Sequence, residues 1–150
     1  MKLKRISWIV FVLIITATLH GLNAQAAHEI TLNVDTKNPN PGKACFFKVG
    51  KGTTILNNSS PETFTIFAQV GDNIVWKGVS STEPNIPVRI RAIKYISGPR
   101  IFTSDVIKGD KHVQATVIRG GKVPYKYQIQ FRVGSNTTIY TIDPKIQIGE

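Results

Sequence analysis

Cysteine is almost missing from this chain of 150 residues, Cys45 being the only one. No disulfide can close within the chain, so the fold must be held by its core. Beside Phe46 and Phe47 the lone thiol is expected to be buried, as a small hydrophobe. Methionine is confined to Met1, histidine occurs only as His20, His28 and His112, and there are nine acids. These scarcities narrow the chemistry. A Ser-His-Asp or Cys-His arrangement would have to draw on those few histidines, and no Gly-x-Ser-x-Gly turn occurs. Most of the acids fall in turns, where Asp bonds its own backbone. The expectation is a protein that is not an enzyme and needs no cofactor.

Long apolar runs are absent except at the start. Lys2, Lys4 and Arg5 precede Ile6 to Leu19, which only Ser7, Thr16 and Thr18 interrupt. That run is shorter than the roughly 20 residues a helix needs to cross a bilayer. It reads as a secretory signal peptide over residues 1–26, with the small residues of Ala24-Gln25-Ala26 at the peptidase positions and Ala27 as the first mature residue. A cut one residue later would expose His28. The expected destination is secreted or periplasmic, and the expected mature unit is a single domain over residues 27–150.

Acidic residues are outnumbered throughout. The leader carries three of the 19 basic residues and none of the nine acids, so the mature chain keeps a net charge of +7. Such an excess attracts acidic partners: anionic lipid, acidic glycan, an acidic protein surface or nucleic acid. The charge is scattered rather than gathered in a polybasic tail. The sequons at Asn57, Asn58 and Asn136 mark exposed loops.

Helical spacing is nearly absent, and period-two alternation takes its place. Ile30, Leu32 and Val34 alternate with Glu29, Thr31 and Asn33. Val88, Ile90 and Ala92 alternate with Arg89, Arg91 and Ile93. The cleanest case sets Tyr125, Tyr127, Ile129, Phe131 and Val133 inward against Lys126, Gln128, Gln130 and Arg132. Further strands are expected at 44–49, 63–69, 73–76, 101–106 and 137–142. Turn signals separate them, including Asn38-Pro39-Asn40-Pro41-Gly42, Gly109-Asp110 and Gly134-Ser135-Asn136. Pro144 cannot donate to a ladder and predicts a kink or a change of partner before a last strand at 145–148. With no helices to cover a sheet, two sheets must cover each other. The predicted fold class is all-β, an antiparallel sandwich or Greek-key barrel of about nine strands, cupredoxin-like or immunoglobulin-like.

Val70-Gly71-Asp72-Asn73-Ile74-Val75-Trp76 resembles the V-G-D-x-V-x-W strand of the cupredoxin family, and Tyr125-Lys126-Tyr127 resembles that family's Y-x-Y. The resemblance implies a sandwich, and the residues it would need for blue copper are missing, which counts against a type-1 copper site. Such a site needs two His, a Cys and usually a Met, and no Cys or His follows Tyr127.

Three binding sites can be read from the residues. A basic sheet face would use Arg89, Arg91 and Lys94 from one strand and Lys126 and Arg132 from another, toward a glycan, lipid or protein. Nucleic acid fits less well, because the aromatics that would stack on bases (Phe64, Trp76, Tyr127 and Phe131) fall at inward positions. A copper site is the alternative, formed by a free amino terminus with His28 and His112, since amine and imidazole nitrogens suit Cu(II). If no metal is held, both histidines are expected to face solvent. Finally, an unpaired sheet edge could accept a partner strand.

Overall fold

The computed structural model describes residues 25–149. The predicted leader, apart from its last two residues, lies outside the described residues. Eleven strands account for the regular structure among them: β1 (Ala27–Val34), β2 (Cys45–Val49), β3 (Thr54–Asn57), β4 (Thr65–Ala68), β5 (Asn73–Ser80), β6 (Val88–Ser97), β7 (Val106–Lys108), β8 (His112–Thr116), β9 (Tyr125–Val133), β10 (Tyr140–Ile142) and β11 (Lys145–Ile148). The all-β class is as expected. No helix among the described residues is long and apolar enough to cross a membrane.

The strands form a smaller sheet in the order β2-β1-β5-β8 and a larger one in the order β3-β4-β11-β9-β6-β7, with β10 also paired to β9. Not every pairing is antiparallel. β1 runs parallel to β5, and β4 parallel to β11, so both sheets are mixed. Alternation tells which face of a strand is buried but not which way its neighbour runs, and these partners are far apart in sequence.

The inward faces meet in one core. Trp76 of β5 and Tyr127 of β9 are both fully buried and join the two sheets, with Trp76 Nε1 donating to the Tyr127 hydroxyl at 3.1 Å. That bond lets two large amphipathic rings be buried without stranding a polar atom. Phe102 and Tyr125 pack edge-on and stacked around them. Burial raises the Tyr127 hydroxyl pKa well above the phenolic range. Phe64 and Phe131 are inside as predicted. Each such side chain contributes roughly 1.5–3 kcal/mol of burial.

Three local expectations change. The register shifts between Ile90 and Ala92, so a bulge turns Ile93 inward, where it is fully buried beside Ile129. The segment at 101–106 is mostly connection: Ile101 and Phe102 fill the core from a loop, and the strand begins only at Val106. Cys45 is half-buried rather than buried, its thiol 3.5 Å from the Gly42 carbonyl, and desolvation with nearby Glu62 pushes its pKa up to about 11. Asp143-Pro144 divides β10, which pairs with β9, from β11, which runs between β9 and β4 and pairs with both.

Candidate functional site

The outer face of the larger sheet is where β6 and β9 present their polar residues. Their antiparallel register sets Arg89 directly opposite Arg132, and Lys94 opposite Gln128; Lys126 stands farther down, against Ser97 on one side and Lys145 on the other. The structure divides the five predicted basic residues into two groups. Arg89, Arg91 and Arg132 line a concavity of about 190 Å³, whereas Lys94 and Lys126 lie outside it.

Two turns complete that concavity, and neither was foreseen as part of a site. The β7–β8 turn brings Asp110 and Lys111, and the turn after β9 brings Gly134, Ser135 and Asn136. The first is placed by the backbone, Gly109 N donating to the Arg91 carbonyl at 3.1 Å, which seats Asp110 beside the Arg91 guanidinium in an ion pair. The second is folded back by Gly134, whose φ of 60° lies in the left-handed region and whose N donates to Pro87 O at 2.8 Å. Arg89 makes only a long bond, 3.4 Å, to the Gly134 carbonyl. Arg132 Nε is buried with no hydrogen-bond partner among the described residues. Four cations thus face one carboxylate around this opening, and their N–H donors are largely uncommitted. The Gly-Asp and Gly-Ser-Asn turns were legible as turns; what was missing was that both fold toward the same end of β6.

The predicted copper pair is not assembled. His28 lies on β1 and is buried on the core side, level with Ile74, while His112 lies on β8, exposed, paired with Lys77 on the opposite face of the same sheet. The expectation that both histidines face solvent therefore fails for His28. Its ring nitrogens are both engaged, Nε2 with Asp72 Oδ2 at 2.9 Å and Nδ1 with Thr53 Oγ1 at 3.1 Å. Asp72, also buried, accepts from Gln69 N at 2.7 Å and from Ala26 N at 3.0 Å. Desolvation raises the Asp72 pKa, but the bonds from His28, Gln69 and Ala26 outweigh it and hold the carboxyl below its ordinary 3.8. Parity could have found this cluster: continuing the inward series Val34, Leu32, Ile30 by two residues reaches His28. Among the described residues, no group of three or more His, Cys, Asp or Glu side chains is placed to hold a metal ion.

No family model matches the chain, and no curated protein matches it. Among solved structures it is similar to the inclusion body protein PixA from Burkholderia cenocepacia, with a TM-score of 0.65 and 15% identity over 87% of this chain and 100% of that one. That likeness shows the fold alone. It also matches the McoA multicopper oxidase from Aquifex aeolicus at a TM-score of 0.29 and 11% identity, covering 83% of this chain and 30% of that one. A likeness so slight leaves the cupredoxin resemblance resting on its sequence motifs.

Proposed function

We propose that this chain is an exported, non-enzymatic β-sandwich module, secreted or periplasmic, that binds an anionic partner through the outer face of its larger sheet. The observation that carries the reading is the convergence of Arg89, Arg91 and Arg132 on one concavity beside Lys111. Fixed positive charge gathered around an opening focuses the field there and raises the local concentration of anions. Exposed positive charge spread evenly would do so far less.

The partner is a glycan, lipid or protein bearing negative groups rather than a nucleic acid. Trp76, Tyr125, Tyr127, Phe64 and Phe131, the largest aromatic side chains, are committed to the core and are not available to stack on bases. The test is retention of the purified protein on heparin across a salt gradient. Elution should move to lower salt when Arg89 and Arg132 are both replaced by Met. Passage through the column at physiological salt, or elution unmoved by the double substitution, would overturn the reading.

A further inference from the structure

Like charges directly opposite one another in an antiparallel pair are destabilising. Arg89 and Arg132 are such a pair, and Arg91 and Lys111 crowd the same opening. Among the described residues that line it, only Asp110 offsets them, and it is already matched to Arg91. The concavity therefore holds a surplus of positive charge that the protein itself does not neutralise. Hydrogen bonding is unfinished in the same place. Arg132 Nε lacks a partner, Arg89 has only its long contact to Gly134 O, and Asn136 spends its Oδ1 on Thr138 N at 2.9 Å, leaving its amide N–H groups to another acceptor.

We propose that this concavity is a seat for a phosphate monoester dianion, a refinement that rests on the anionic-partner reading above. A terminal phosphate presents three acceptor oxygens and close to two charges above its second pKa of about 6. Guanidinium groups match it in paired N–H···O bonds, which a lysine-only surface cannot do. At about 190 Å³ the opening has room for a small polar group and its ordered water. That suffices for a tetrahedral oxoanion, with the rest of its ester extending into solvent. Arg132 offers its guanidinium to the ligand, Arg89 gives up its long bond to Gly134, and Asn136 adds a neutral donor. Arg91 stays on Asp110 and supplies charge.

The experiment is titration of the purified protein with glucose 6-phosphate, inorganic phosphate and sulfate at about 0.15 M ionic strength, with phosphatidic acid vesicles as a separate arm. Saturable binding of glucose 6-phosphate is expected, growing tighter from pH 5 to pH 7.5 as the second phosphate proton leaves. Arg132→Met or Arg89→Met should weaken it about 10-fold or more, since each removes a charge-assisted hydrogen bond to the dianion. Lys126→Met, outside the concavity, should change it less than about 2-fold. Preference for vesicles over the soluble ester would assign the phosphate to a lipid headgroup and still support the site. No saturable phosphate binding, equal loss with Lys126→Met, or sulfate bound as well as the dianionic ester at pH 7.5 would overturn the phosphate seat. Heparin retention sensitive to the two arginines would survive any of those results, so the two readings can fail separately.

Discussion

Two polar clusters in this sandwich, at His28 and at Arg132, differ in how fully they are satisfied. Around Asp72 each carboxylate oxygen accepts a hydrogen bond and both ring nitrogens of His28 are engaged, tying the start of β1 to the β4–β5 turn and to Thr53. Around Arg132 the cations outnumber the acids, one guanidinium nitrogen lacks a partner, and the group opens to solvent. A completed network stabilises the fold and has nothing left to offer a ligand. An incomplete one costs the fold something and gains its partners from outside. The histidine read as a copper ligand belongs to the first kind, and three of the arginines and lysines read as a basic binding face, Arg89, Arg91 and Arg132, belong to the second.

The largest break in that contrast should come from Asp72→Ala. Removing Asp72 leaves His28 Nε2 and the Gln69 and Ala26 N–H groups without their acceptor, at a cost of about 1–3 kcal/mol. Urea unfolding should show that loss, while phosphate titration of the folded fraction should be unchanged. A loss under about 1 kcal/mol would mean that the Asp72 hydrogen bonds do not hold β1 to the β4–β5 turn.

Acid probes the same cluster without mutation. The Asp72 carboxyl is held below its ordinary 3.8 when folded. Its contribution is therefore fully present above that value, where the unfolded chain is also ionised, and is lost as pH falls through the lower folded value. Thermal unfolding midpoints should drop more steeply below pH 3.8 in the parent than in Asp72→Asn. Parallel curves would place the acid sensitivity elsewhere.

At the other cluster the sign reverses. Arg132→Met removes one of two facing like charges and an unpaired buried Nε, so it should leave stability unchanged or raise it by about 0.2–1 kcal/mol. Chemical denaturation measures this directly, and a loss above about 1 kcal/mol would show Arg132 to be part of the structure's own bonding.

How much of this was legible follows from what alternation encodes. The core aromatics, the β6 and β9 faces and the break at Pro144 all came from period two and from proline's missing donor. The parallel pairings did not, because strand direction is set by long connections that leave no local mark. Ile93 was misplaced because a bulge adds a residue without changing composition. Of the five basic residues, Arg89 and Arg132 were brought together by the β6–β9 register and Arg91 by its place at the bulge beside them, whereas Lys94 and Lys126 sit too far along the same strands. Lys111 and Asn136 were invisible as site residues because only tertiary folding brings their turns over β6.

The smallest effect is also the most local. Lys111 and His112 are adjacent and both exposed, yet Lys111 lines the concavity while His112 pairs with Lys77 on the outer face of the smaller sheet. An exposed lysine facing an anion contributes about 0.2–1 kcal/mol, which is about 1.4- to 5-fold in affinity. Lys111→Met should weaken glucose 6-phosphate by that amount, whereas His112→Ala should not alter it. Both should keep stability within about 0.5 kcal/mol of the parent. Neighbours with different effects on the ligand and the same effect on stability are what a bounded site produces. General surface attraction would make the lysine's effect vanish with salt as fast as that of Lys126, because exposed charges are screened over about 8–10 Å at such ionic strength.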